Sequence, residues 1–197
     1  WRALVPDIAC ALIPMGSLEG AQAVLAGDTR IHVWSPASAM YKGIFVEEWQ
    51  VKHGSDKPIL REENLALSPM VFVMWAERHQ AFVQKYGEVS FKTLSQALAE
   101  PTGWQGIAGK PEWGLFKLGH THPEFSNSGL IALLAETYAA VGKVTGLTLA
   151  DVQRPRTASY VSGIESAIVH YGSSTGFLGK KMFENGPRDL SAAVLYE

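Results

Sequence analysis

"WGLFKLGHTHPEFSNSGLIALLAETYAAVG", residues 113–142, carries a strand, a loop and a helix in one run. "WGLFKLG" (113–119) is strand-like. Leu130, Leu133, Leu134, Tyr138 and Val141 then recur at helical spacing, and Gly142 supplies the stop. Between the two lie Ser126, Asn127, Ser128 and Gly129, which place hydroxyls and an amide where the helix must begin. A strand passing through a polar loop into a helix is the repeating unit of an α/β fold.

The alternation continues on both sides. "ACALIPM" (9–15) reads as a buried strand, with Ser17 as the cap of a helix over "LEGAQAVLAG". "IHVW" (31–34) reads as a short strand, followed by a helix from Ala37 to Lys52 with Met40, Ile44 and Phe45 inward. "LALSPMVFVM" (65–74) reads as a strand broken at Pro69, which cannot donate to a ladder. Trp75, Arg78, Phe82 and Tyr86 mark a helix ended by Gly87, and Ser90 opens another through Leu94 and Leu98. Thr148 and Asp151 resemble a capping box. Val161, Ile164, Ile168 and Tyr171 mark a further helix, "GSST" (172–175) leads into the next, and "SAAVLY" closes as a strand. This order predicts a mostly parallel α/β sheet.

Composition narrows the function. Hydrophobic residues make up 47% and charged residues 18%, the balance of a globular chain. A net charge of -2 gives no general pull toward nucleic acid or anionic membrane, so neither is an expected partner. No apolar run approaches the ~20 residues that a membrane helix needs. Cys10 is the only cysteine, which excludes an intramolecular disulfide and a multi-cysteine zinc site. "WRALVPDIAC" has neither an initiator Met nor a signal-peptide pattern, and "LSAAVLYE" stops at a strand. The chain is therefore expected to be a piece of a longer protein.

Several groups of residues could carry chemistry. His120 and His122 point the same way if extended, and Glu124 could add a third donor to a metal. "GSSTG" (172–176) matches the G-x-S-x-G nucleophile elbow with Ser174 as nucleophile. Yet "IESAIVHY" before it has helical periodicity, and no His follows Ser174 to act as base. No G-x-G-x-x-G occurs, and Gly109-Lys110 runs into Pro111 without the upstream glycine of a P-loop, so no cofactor is expected. Trp104, Trp113 and Phe116 read as core. Three hydroxyl-bearing helix starts remain: Ser35 with Ser38, Ser126 with Ser128, and Ser173-Ser174-Thr175. Gathered at strand ends, such loops bind an oxyanion or polar solute through hydroxyls and free helix N–H groups.

The order of elements resembles the bacterial extracellular solute-binding proteins of the two-lobed, type 2 class, including the molybdate- and sulfate-binding group. The stretches that carry the likeness are "GSLEGAQAVLAGDTRIHVWSPASAMY", "LALSPMVFVMW" and "FKLGHTHPEFSNSGLIALLAETYAA", the last being the most specific. It is closest to the solute-binding domains found beside von Willebrand factor A domains. The likeness implies a periplasmic-binding-protein-like α/β fold, incomplete in its first lobe. Residues 1–68 would be lobe one, 69–190 lobe two, and 191–197 a return strand toward lobe one. It implies no enzyme and no cofactor. The expected role is capture of a small polar or anionic solute in an interlobe cleft, outside the cytoplasmic membrane. The partner would be an ABC-type transporter or a von Willebrand factor A domain in the same chain. The expected contacts are Ser35, Ser38, Ser68, Thr121, Ser126, Ser128, Ser173 and Ser174, with Ser68-Pro69 at the crossover. The rivals are a metal-dependent enzyme on His120, His122 and Glu124, and an interaction module without a small ligand.

Overall fold

A computed structural model describes residues 9–54 and 57–197. The chain divides into two compact units, Trp1–Glu63 and Asn64–Glu197. Helices and strands are both present, and the described residues form one four-stranded mixed sheet, so the chain is α/β.

The first unit holds α1 (Ser17–Leu25) and α2 (Ala39–His53). Ala21, Leu25 and Phe45 are its buried core, with Trp34, Trp49 and Ile59 around them. The Phe45 ring lies 5.2 Å from Trp34 and 5.7 Å from Trp49. Tyr41 and Phe45, one helical turn apart, form the buried face of α2, while Ile44 is 41% exposed. The strands expected at 9–15 and 31–34 are not formed, and Leu12 and Val33 stand exposed. A strand needs a neighbour to take its backbone hydrogen bonds, and the described residues of this unit offer none. The cap of α1 also shifts by one residue. Gly16 is the N-cap and donates its N–H to Glu19, while the Ser17 hydroxyl accepts from the Ala37 N–H at 3.0 Å.

The second unit builds the sheet from β1 (Met70–Met74), β2 (Leu118–Thr121), β3 (Ile168–Gly172) and β4 (Ala192–Tyr196). Its order is β1-β4-β2-β3. β2 runs parallel to both β3 and β4, and β1 pairs with β4 antiparallel. The strand expected at 191–197 is thus an interior strand of this sheet. Pro69, which lacks an N–H, precedes β1 rather than interrupting it, so the strand is shorter than 65–74. "WGLFKLG" also divides. Pro111–Trp113 is a 3₁₀ turn, Phe116 enters the core, and β2 starts only at Leu118.

Along β4, side chains alternate between two cores, as the period of a strand dictates. Ala192 and Val194 join Phe82, Phe91, Leu94, Trp104, Leu118, Ala132 and Ile164 on one face. Ala193 and Leu195 join Leu178, Met182 and Leu190 on the other. The first face is covered by α3 (Ala76–Tyr86), α4 (Phe91–Leu98), α5 (Trp104–Ala108), α6 (Asn127–Val141) and α8 (Pro155–Glu165); the second is covered by α9 (Thr175–Asn185). The short α7 (Leu149–Val152) carries the expected capping box: Thr148 Oγ1 accepts from the Asp151 N–H, and the Asp151 carboxylate accepts from the Thr148 N–H.

The expected helix through Ile168 and Tyr171 is corrected. α8 ends at Glu165, and Ile168–Gly172 pair with β2 instead. Ile164 and Ile168 are four residues apart, which mimics a helical stripe, but pairing across the sheet overrides the local pattern.

One buried hydroxyl ties the larger core together. Ser191, fully buried, accepts from Arg78 Nη1 at 2.8 Å, from Trp104 Nε1 at 3.0 Å and from the Lys117 N–H at 3.1 Å. Arg78 also lies over the Trp104 and Trp113 rings, 5.3 and 5.4 Å from their centroids. Ser191→Ala would strand a guanidinium N–H and an indole N–H in the core. It is expected to cost about 2 kcal/mol, read as a lower urea midpoint.

Candidate functional site

The carboxyl ends of β2, β3 and β4 meet at one end of the sheet, because the three strands are parallel. Two long helices start there. α6 follows β2 and packs on one face, and α9 follows β3 and packs on the other. Adjacent parallel strands whose following helices take opposite faces form a topological switch point, where open α/β sheets leave a crevice for ligands.

Hydroxyl groups line this point. Ser128 Oγ lies 2.6 Å from Thr121 Oγ1, 3.1 Å from Ser126 Oγ and 2.8 Å from Thr175 Oγ1. The last contact joins the first turn of α6 to the first turn of α9 across the sheet end. Each hydroxyl can donate or accept, so the cluster adapts to either kind of partner. Ser126, the N-cap of α6, makes no side-chain cap bond. The first N–H groups of a fifteen-residue helix therefore receive no side-chain acceptor from their own cap. Asn127 is 7% exposed; its Nδ2 donates to the Tyr196 hydroxyl at the end of β4, and its Oδ1 is buried without a hydrogen-bond partner. Gly129 makes this packing possible. A Cβ there would lie 2.1 Å from the Thr121 carbonyl oxygen and 2.7 Å from the His122 carbonyl carbon.

Of the expected contacts, Thr121, Ser126 and Ser128 come together here. Ser174 is nearby in the chain, but its hydroxyl caps α9 by accepting from the Phe177 N–H at 3.2 Å; Ser173 is exposed on the same loop. Ser68 is exposed and donates to the Glu197 carbonyl, beside the end of β4. Ser35 and Ser38 belong to the first unit. Ser35 is exposed, and Ser38 caps α2 by accepting from the Met40 N–H. Thr175 and Asn127 stand in the same hydroxyl-rich runs but lie outside the expected contacts. Nothing local marks one hydroxyl of "SST" as the one that reaches α6.

A strand does precede "GSSTG", contrary to the helical reading of "IESAIVHY". The Ser174 hydroxyl itself is engaged in the cap of α9.

A second cluster lies beside the first. His120, on β2, is fully buried. Its Nδ1 is 2.7 Å from the Thr121 carbonyl, which can only accept, so that nitrogen carries a proton. Its Nε2 lies 2.8 Å from Glu165 Oε1 and 4.0 Å from Glu136 Oε1. Glu165 ends α8 and its Oε2 accepts from the Tyr171 hydroxyl at 2.8 Å. Glu136, on α6, is fully buried, and its carboxyl shares a hydrogen bond with that of Glu165. Burial, then the neighbouring charge of Glu165, pushes the Glu136 carboxyl up to about 9. Burial alone would raise Glu165 too, but His120 and the Tyr171 hydroxyl hold it below the ordinary carboxylate range. Burial and Glu165 together push the Tyr171 phenol up.

This corrects the metal reading of "GHTHPE". The rings of His120 and His122 do turn to the same neighbour, for both contact Tyr171, at 5.2 and 5.4 Å. But the strand ends at Thr121 and the chain turns, with the Ser126 N–H donating to the His122 carbonyl. His122 Nδ1 accepts from the Glu124 N–H, and Glu124 is exposed. The partners of His120 are Glu136 and Glu165 instead. The expected α6 stripe hid the first of them: Leu130, Leu133 and Leu134 are only half-buried, while Gly129, Ala132 and Glu136 form the buried face. Small residues let α6 approach the sheet end closely, and the leucines flank the contact.

A groove of about 800 Å³ between α3 and α5, lined by Glu77, Gln84, Ile107 and Trp113, shares no residue with either cluster. No protein-family model matches this chain, and no curated protein or solved structure matches it either.

Proposed function

We propose that this chain is a solute-binding domain, not an enzyme, and that its second unit holds a small polar or anionic ligand at the carboxyl ends of β2, β3 and β4. The observation that carries the reading is the Ser128–Thr175 contact of 2.8 Å, which brings two helix N-termini from opposite faces of the sheet to one point. Each N-terminus contributes the positive end of a helix dipole and backbone N–H donors. With the neutral hydroxyls of Thr121, Ser126 and Ser128, that set suits a dehydrated oxyanion or an uncharged polar solute. Ser68 and Ser173 stand at the same sheet end and complete the rim. In this reading the domain works outside the cytoplasmic membrane, for a transporter or a neighbouring sensory domain. No helix among the described residues is long and apolar enough to cross a membrane.

Calorimetric titration with molybdate, sulfate, phosphate, a neutral sugar and an amino acid tests the proposal. One of them should bind the 197-residue chain. Ser126→Ala, at the half-buried hydroxyl of the cluster, should weaken that binding about tenfold, the worth of one hydrogen bond to a ligand. Glu77→Gln, in the unrelated groove, should leave it unchanged. Absence of binding by every probe would count against the reading.

A further inference from the structure

We infer that His120, Glu136 and Glu165 form a binding site for a divalent first-row transition-metal ion. The three donors come from β2, α6 and α8, and one ligating atom of each lies within 4.8 Å of the others. Donors at 2.0–2.2 Å from a common ion sit roughly 3–3.5 Å from one another. The Nε2 distances of 2.8 Å to Glu165 and 4.0 Å to Glu136 bracket that range, so small side-chain shifts would close the site.

Two further observations point to a ligand. Glu136 is fully buried, and the group its carboxyl meets is a second carboxyl, that of Glu165, an arrangement that a cation between them would satisfy. His120 is already oriented as a metal ligand would be. Its Nδ1–H donates to the Thr121 carbonyl, which fixes the ring and aims Nε2 at the two carboxyls. The Tyr171 hydroxyl donates to Glu165 Oε2 in the same supporting manner and leaves Oε1 facing the site. An approach exists on that side, since the Glu165 side chain is 20% exposed and Tyr171 lies at the surface. One imidazole with two carboxylates favours manganese, iron, cobalt or zinc over calcium or magnesium, which prefer oxygen alone. Three protein ligands leave at least one position open. The ion would tie β2, α6 and α8 together immediately below the hydroxyl cluster.

The test uses the 197-residue chain, stripped with chelator and titrated with Zn²⁺ and Mn²⁺. One equivalent should bind with micromolar affinity or better. A metal concentration about 100 times Kd should raise Tm by roughly 5 °C or more. Glu136→Gln and Glu165→Gln should each weaken binding by roughly 100-fold, while His122→Ala should leave it unchanged. Retention of the wild-type circular dichroism spectrum by Glu136→Gln separates loss of the site from loss of the fold. The inference is overturned if the folded wild-type chain takes up neither metal. It is equally overturned if uptake survives both glutamate substitutions.

Discussion

A Gly129→Ala chain should lose about 3 kcal/mol or more of stability, the upper end of what an added methyl costs in a packed site. The added Cβ would sit 2.1 Å from the Thr121 carbonyl oxygen and 2.8 Å from the Pro123 nitrogen. These are backbone atoms at the end of β2, so no rotamer change relieves the clash. Either α6 moves away from the sheet, taking Ser128 from Thr121 and Thr175, or the strand exit distorts. Helix propensity acts the other way, since alanine exceeds glycine in a helix interior by about 1 kcal/mol. Gly163, inside α8 with nothing within 4 Å of its Cβ position, isolates that opposing effect. Gly163→Ala should therefore gain about 0.5–1 kcal/mol. Urea denaturation of the two variants should move their midpoints in opposite directions. A neutral Gly129→Ala would show that α6 does not pack against the strand exit as described.

The second large effect concerns pH. In metal-free buffer with chelator, Glu136→Gln should be more stable than wild type at pH 8 by on the order of 3 kcal/mol, and nearly equal to it at pH 5. In the folded chain the Glu136 carboxyl is pushed up to about 9, against an ordinary value of 4.5. Between those values the folded state holds a proton that the unfolded state releases. Its stability is therefore fully present below 4.5 and is lost as pH rises toward 9. Glu165 works in the opposite sense. It is held below the ordinary range, so its contribution is present at neutral pH and is lost only on acidification. The two effects occupy different pH windows, and the alkaline decline belongs to Glu136. A glutamine side chain carries no ionisable proton, so the variant's profile should lack that decline between pH 5 and pH 8. Matching slopes for wild type and variant would show that Glu136 ionises freely in the folded chain.

Much of the local structure could be read directly from the residues. Ser38, Ser90, Thr148 and Ser174 cap helices because each needs only its own next few N–H groups. Gly87 and Gly142 end helices with positive φ angles of 87° and 69°, conformations that glycine adopts freely. The strand–loop–helix reading of 113–142 holds for the same reason, with the strand starting later than its apolar run. The hydroxyl-rich starts of α6 and α9 were equally visible, since Ser126, Ser128 and Thr175 announce helix N-termini by type and position.

Long-range contacts settled the rest. An apolar run becomes a strand only when another strand meets it. "ACALIPM" and "IHVW" lack a partner among the described residues, whereas Ile168–Gly172 pair with β2 despite a helical pattern. Ser128 meets Thr175 across 47 residues of chain, and His120 meets Glu165 across 45. No spacing rule reaches that far. Glu136 reads locally as the polar face of an amphipathic helix; its burial depends on Gly129 and Ala132 drawing α6 against the sheet. Chain-local hydrogen bonding and side-chain type thus specified the α/β elements and their ends. Packing between distant segments specified which elements paired, and it placed a hydroxyl cluster beside a buried histidine–carboxylate triad at one end of one sheet.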